Sequence, residues 1–117
     1  MDSKVFSEIW HDAQTQQDID VFVSDWATSS IFLDPEHTDQ EIDSSVVDQL
    51  GRLWQVAHLP FRELLKLLDL SQTACSVRFC IHLRTVQRWA LGERACPSYI
   101  RLMMAELCGV VALRSLS

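Results

Sequence analysis

Late in the chain, Arg84, Gln87 and Arg88 combine residue types and spacing that suit the reading of duplex DNA. Residues three and four apart share one face of a helix, so the three side chains point outward together. A guanidinium offers two parallel donors that match a guanine edge, and a glutamine amide matches an adenine edge. A short rod carrying two arginines and a glutamine has the width and the donors to enter a major groove. The plainer alternative is a solvated helix face. Arg78, Arg94 and Arg101 are secondary candidates for phosphate contact, to be weighed against ordinary surface arginines.

The stretch Leu70–Gly92 has to position these groups. It reads as two short helices, 72–79 and 83–91, around a tight turn. Ser71 is suited to cap the first, its hydroxyl accepting from an orphan amide. Leu70, Cys75, Phe79, Ile81, Val86 and Trp89 recur at helix-compatible spacings and can close one small core. Gln72 at a helix start suits a phosphate oxygen.

The order LSQ, then RTVQRW, then a glycine three residues after the tryptophan resembles the lambda-repressor-like, xenobiotic-response-element type of helix-turn-helix. The resemblance covers roughly residues 59–107. It implies an all-α, five-helix domain, sequence-specific binding of double-stranded DNA, and a homodimer. Residue by residue, Gln72 and Thr73 fall at the start of the family's second helix. Leu83, Arg84, Thr85, Gln87 and Arg88 fall on its recognition helix, and Arg94 lies in the loop beyond. Four positions depart from the family pattern. Ser76 stands for a contact alanine, Cys80 for a turn glycine, His82 for a Ser/Thr cap, and Ala90 for a glutamate. A left-handed Cys80 costs about 1 kcal/mol relative to glycine. His82 as a cap is worth about 1 kcal/mol less than serine.

Charge divides the chain. Residues 1–50 hold twelve acids and one lysine, whereas residues 51–117 hold nine basic residues and four acids. The net charge of −6 therefore hides a basic half, and distribution matters more than the total. Few glycines and prolines favour helices. No apolar run approaches the length of a membrane span, and the start lacks a signal-peptide layout, so a cytoplasmic location is the default. Cys75, Cys80, Cys96 and Cys108 show no metal-ligand spacing. Cys75 and Cys108 sit in apolar patterns and are expected to be reduced core residues. A redox switch at Cys80 is a lesser alternative.

Taken in order, residues 3–14 form an amphipathic pattern with Ser3 as a possible cap. Asp18 opens a second, carrying Ile19, Phe22, Val23 and Trp26. Ile31–Leu33 forms a short apolar knot that suits an extended path. Glu36–Asp43 reads as an acidic exposed loop and linker. Ser44 or Ser45 is expected to cap the next helix, with Val46, Val47, Leu50, Leu53, Trp54 and Ala57 as its stripe. After the motif, 98–108 carries Ile100, Met103, Met104 and Leu107 on one face, and Val110, Val111, Leu113 and Leu116 form an apolar tail.

These readings converge on an all-α protein: residues 1–43 as an acidic helical extension and 44–117 as a helix-turn-helix domain. The expected function is a small transcriptional regulator, a repressor in format, acting as a homodimer on a palindromic operator. By analogy this format resembles regulators of phages and mobile elements. No cofactor, metal or enzyme activity is expected. The alternative is a protein-interaction module, antitoxin-like or inhibiting a nucleic-acid enzyme, whose acidic half binds a protein partner. A third reading folds the acidic half over the basic face as an autoinhibitor.

Overall fold

Seven α-helices and one 3-10 turn make up the described residues, 1–34 and 41–116, of the computed structural model, and no strand occurs among them. In order these are α1 (Ser3–Thr15), α2 (Ile19–Ala27), α3 (Ser44–His58), α4 (Phe61–Leu67), α5 (Gln72–Phe79), α6 (Leu83–Leu91), α7 (Ser98–Leu107) and the 3-10 turn Leu113–Ser115. No helix among the described residues is long and apolar enough to cross a membrane. The chain forms two compact units, Met1–Trp54 with Val111–Ser117, and Gln55–Val110, and the division falls within α3. Most of the acidic linker expected at 36–43 lies outside the described residues.

In the first unit, α1 packs against α2. Phe6, Ile9, Trp10, Ala13 and Phe22 are buried, as the helical spacing predicts, and Val46, Leu50 and Leu53 of α3 are buried too. Fully burying one such large aliphatic or aromatic side chain contributes about 1.5–3 kcal/mol. Trp26 and Trp54 are only half-buried, and each indole N–H has a polar partner. Trp26 Nε1 donates to Asp12 Oδ2 at 2.8 Å, and Trp54 Nε1 donates to the Gln16 carbonyl at 2.8 Å. The apolar tail is buried at Val111 and Leu113 and exposed at Leu116. Gln49 Oε1 accepts from the Ala112 amide at 2.7 Å, and the Arg114 guanidinium lies 4.0 Å from the Phe6 ring centroid.

Three local expectations are corrected. Asp2, not Ser3, caps α1, accepting from the Lys4 amide at 2.7 Å. Asp43, not Ser44 or Ser45, starts α3: its Oδ1 accepts from the Ser45 amide at 2.8 Å. In both cases a carboxylate stands next to a serine and presents a charge-assisted acceptor to the amides. Ile31–Leu33 is a turn, not an extended segment, because the amides of Phe32 and Leu33 both return to the Ser29 carbonyl.

In the second unit, α6 packs against both α4 and α5. Its core holds Phe61, Leu64, Leu65, Cys75, Val86, Trp89, Leu102 and Met104. Phe61 and Trp89 meet edge to face with ring centroids 5.3 Å apart, a geometry worth about 0.5–1.5 kcal/mol beyond burial. The α7 stripe is only partly used: Met104 is buried, whereas Met103 and Leu107 are exposed.

Candidate nucleic-acid interface

The α5–α6 pair begins at Ser71, whose hydroxyl accepts from the Ala74 amide at 3.0 Å. Gln72 and Thr73 form the first turn of α5, Gln72 half-buried and Thr73 exposed. The helix ends at Cys80 in the left-handed conformation, φ 55° and ψ 42°, where a side chain is strained. Two further bonds hold the turn: the Ile81 amide donates to the Ser76 carbonyl at 3.0 Å, and Ser76 Oγ donates to the Ile81 carbonyl at 2.6 Å. Ser76 thus uses its hydroxyl where an alanine would offer none.

His82 stands at the start of α6 without a side-chain cap bond: its carbonyl accepts from the Thr85 amide at 2.9 Å, but its imidazole caps no amide. The helix then divides cleanly. Val86, Trp89 and Ala90 are buried, Leu83, Arg84 and Gln87 are exposed, and Thr85 and Arg88 are half-buried. The division follows from the 3.6-residue period, which turns Val86, Trp89 and Ala90 inward and leaves Arg84, Gln87 and Arg88 on the other side, while Leu91 at the helix end is exposed. Among the described residues, no ion pair or side-chain hydrogen bond engages these three. Their donors are therefore free for an outside acceptor. Gly92, at φ 77°, ends α6, with the Glu93 amide closing onto the Arg88 carbonyl at 3.0 Å.

Arg94 is exposed in the loop after Gly92, away from the first turn of α6. It lines a groove of about 530 Å³ together with Arg62 and Arg101. The sequence singles out Arg101 as a secondary phosphate-contact candidate, weighed against an ordinary surface arginine, and does not single out Arg62. Arg101 is instead half-buried. Its Nε donates to the Val56 carbonyl at 2.7 Å and its Nη2 to the Leu59 carbonyl, so it closes the end of α3. Arg78 does a similar service for α7, its Nη2 donating to the Leu107 carbonyl at 2.9 Å. The signal for both was a helix ending within reach of a long basic side chain, but the pairing crosses 29 residues or more.

The unit Gln55–Val110 holds seven arginines and lysines against four acids, and one of those acids, Glu63, pairs with Lys66 at 3.2 Å. The other unit holds twelve acids against three basic residues. Its α1 and α2 frame a groove of about 730 Å³ lined by Glu8, His11, Asp12 and Asp25. Comparison with protein-family models, with curated proteins and with solved structures found no match to this chain.

Proposed function

We propose that the chain is a sequence-specific double-stranded DNA-binding regulator that presents α6 to the major groove as a homodimer on a palindromic operator. The observation that carries this reading is the free face of α6: Arg84, Gln87 and Arg88 stand without partners among the described residues, on a helix whose opposite face is buried. In this reading α4–α7 and the end of α3 form the five-helix, lambda-repressor-like domain. Leu83, Arg84, Thr85, Gln87 and Arg88 meet base edges or the groove wall. Gln72, Thr73 and Arg94 hold phosphates and set the register. The homodimer draws on α7, where Tyr99, Met103 and Leu107 are exposed at four-residue steps beside an apolar groove of about 300 Å³. Two-fold pairing would set the recognition helices about 34–36 Å apart.

Selection from a random-sequence duplex library tests the reading. The full chain enriches a palindromic site, and affinity falls steeply with salt. Arg84→Ala/Arg88→Ala weakens binding by about 1–3 kcal/mol per lost base contact and relaxes the sequence preference, with the circular dichroism unchanged. No enrichment at low salt, or equal binding by the double variant, sinks it.

A second reading has its own support in the acidic groove between α1 and α2. There the acidic unit takes a basic side chain of a protein partner, as an antitoxin or an inhibitor of a nucleic-acid enzyme would. A single protein held tightly by the Arg84→Ala/Arg88→Ala variant favours this reading over the first.

A further inference from the structure

The groove at the far end of α6 gathers three guanidinium groups, those of Arg62, Arg94 and Arg101, with no carboxylate in its lining. Arg62 and Arg94 are exposed and enter no ion pair among the described residues. Arg101 is the more telling group. Its two bonds go to carbonyls, which satisfy two of five N–H donors and supply no counter-charge. A half-buried cation without an anion is costly, and an incoming anion relieves that cost. The one other titratable group in the lining does not supply the anion: burial pushes the Cys96 thiol up to about 12, so it is neutral near pH 7.

We propose that this groove binds a phosphate group. Guanidinium groups present paired donors to phosphate oxygens and are the side chains best matched to them. The groove exceeds one phosphate in size, which leaves space for an attached sugar. Trp89 and Phe61 form the wall but are almost wholly buried, so they offer an edge and not a stacking face. Two sources of the phosphate share this chemistry: the backbone of a duplex and a phosphorylated small molecule. From Arg84 to Leu91 the helix rises about 10 Å, close to the major-groove width of about 12 Å. A helix reading base edges at one end therefore brings this groove beside a flanking strand. The duplex source rests on the DNA reading above, but the phosphate site itself does not.

The test is a titration of the full chain with inorganic phosphate at constant ionic strength, followed by NMR at the Trp89 indole and the Ala90 and Arg94 amides. Saturable shifts are expected, and Arg62→Ala/Arg94→Ala weakens them about tenfold through loss of charge-assisted bonds. Both residues are exposed, so the variant folds. Absence of saturation, or equal titration by the variant, overturns the site. A parallel duplex titration over salt then separates the sources. A salt slope lower by about 0.9 per phosphate in the variant assigns the backbone. An unchanged slope with intact phosphate binding in the wild type assigns a phosphorylated small molecule. A wild type that binds phosphate and no duplex refutes the DNA reading and leaves the groove standing.

Discussion

In the acidic unit each α-helix begins at an aspartate: Asp2 for α1, Asp18 for α2 and Asp43 for α3. In the basic unit the corresponding positions are Pro60, Ser71, His82 and Pro97, and none carries a negative charge. A carboxylate at a helix start satisfies an amide and complements the macrodipole, which together stabilise by about 1 kcal/mol. The same carboxylate at the start of α6 would repel a phosphate backbone. In the basic unit α5 keeps a neutral serine cap and α6 has no side-chain cap, so neither helix start carries a negative charge. The contrast ties local capping chemistry to the partner proposed for each surface.

The largest expected effect comes from the core. Leu50→Ala, at a wholly buried position of the acidic unit, lowers stability by about 2–5 kcal/mol in urea unfolding. On the proposed DNA reading, its duplex affinity equals that of the wild type under conditions where the variant remains folded. A fall in affinity at full folding would join the acidic unit to the reading surface and break the comparison.

A smaller and sharper change is His82→Asp, which gives α6 the cap used in the acidic unit. Stability rises by about 1 kcal/mol while duplex affinity falls. His82→Ser supplies a neutral cap and raises stability without the affinity loss. If the two variants bind alike, the absence of charge at the helix starts has no bearing on binding.

The smallest effect concerns Asp43. Hydrogen bonds from the Ser45 side chain and amide hold its carboxyl below the ordinary value of 3.8. A lowered folded-state value means that folding favours the charged form. The associated stability is in place above pH 3.8 and is lost as pH falls through the lower folded value. Asp43→Asn keeps an acceptor oxygen and removes the charge. Its deficit in thermal melts at neutral pH should therefore narrow in acid, and a gap of constant size would contradict this account.

Helical periodicity and capping rules located α5 and α6 to the residue, because Ser71, the apolar spacing and Gly92 all act within one turn. The same rules misplaced two caps in the acidic unit. A serine beside an aspartate leaves the choice to which backbone adopts the extended conformation, and Asp2 does so at ψ 134°. The indole partners of Trp26 and Trp54 were hidden for another reason: Asp12 and Gln16 lie 14 and 38 residues away. The exposed donors of α6 were legible, since both charge and spacing reside in one nonamer. The Arg62–Arg94–Arg101 groove was not, because α4, the loop after α6 and α7 each contribute one cation and no local pattern links them.

The Ser76 hydroxyl bond to Ile81 gives the corner between α5 and α6 a side-chain clasp in addition to its backbone bonds. The orientation of α6 is consequently fixed when the chain folds, and little conformational freedom remains to be surrendered on encounter. Calorimetry of complex formation should then show a small heat-capacity change of the kind that comes from docking rigid surfaces, without the added burial of a segment that orders on contact.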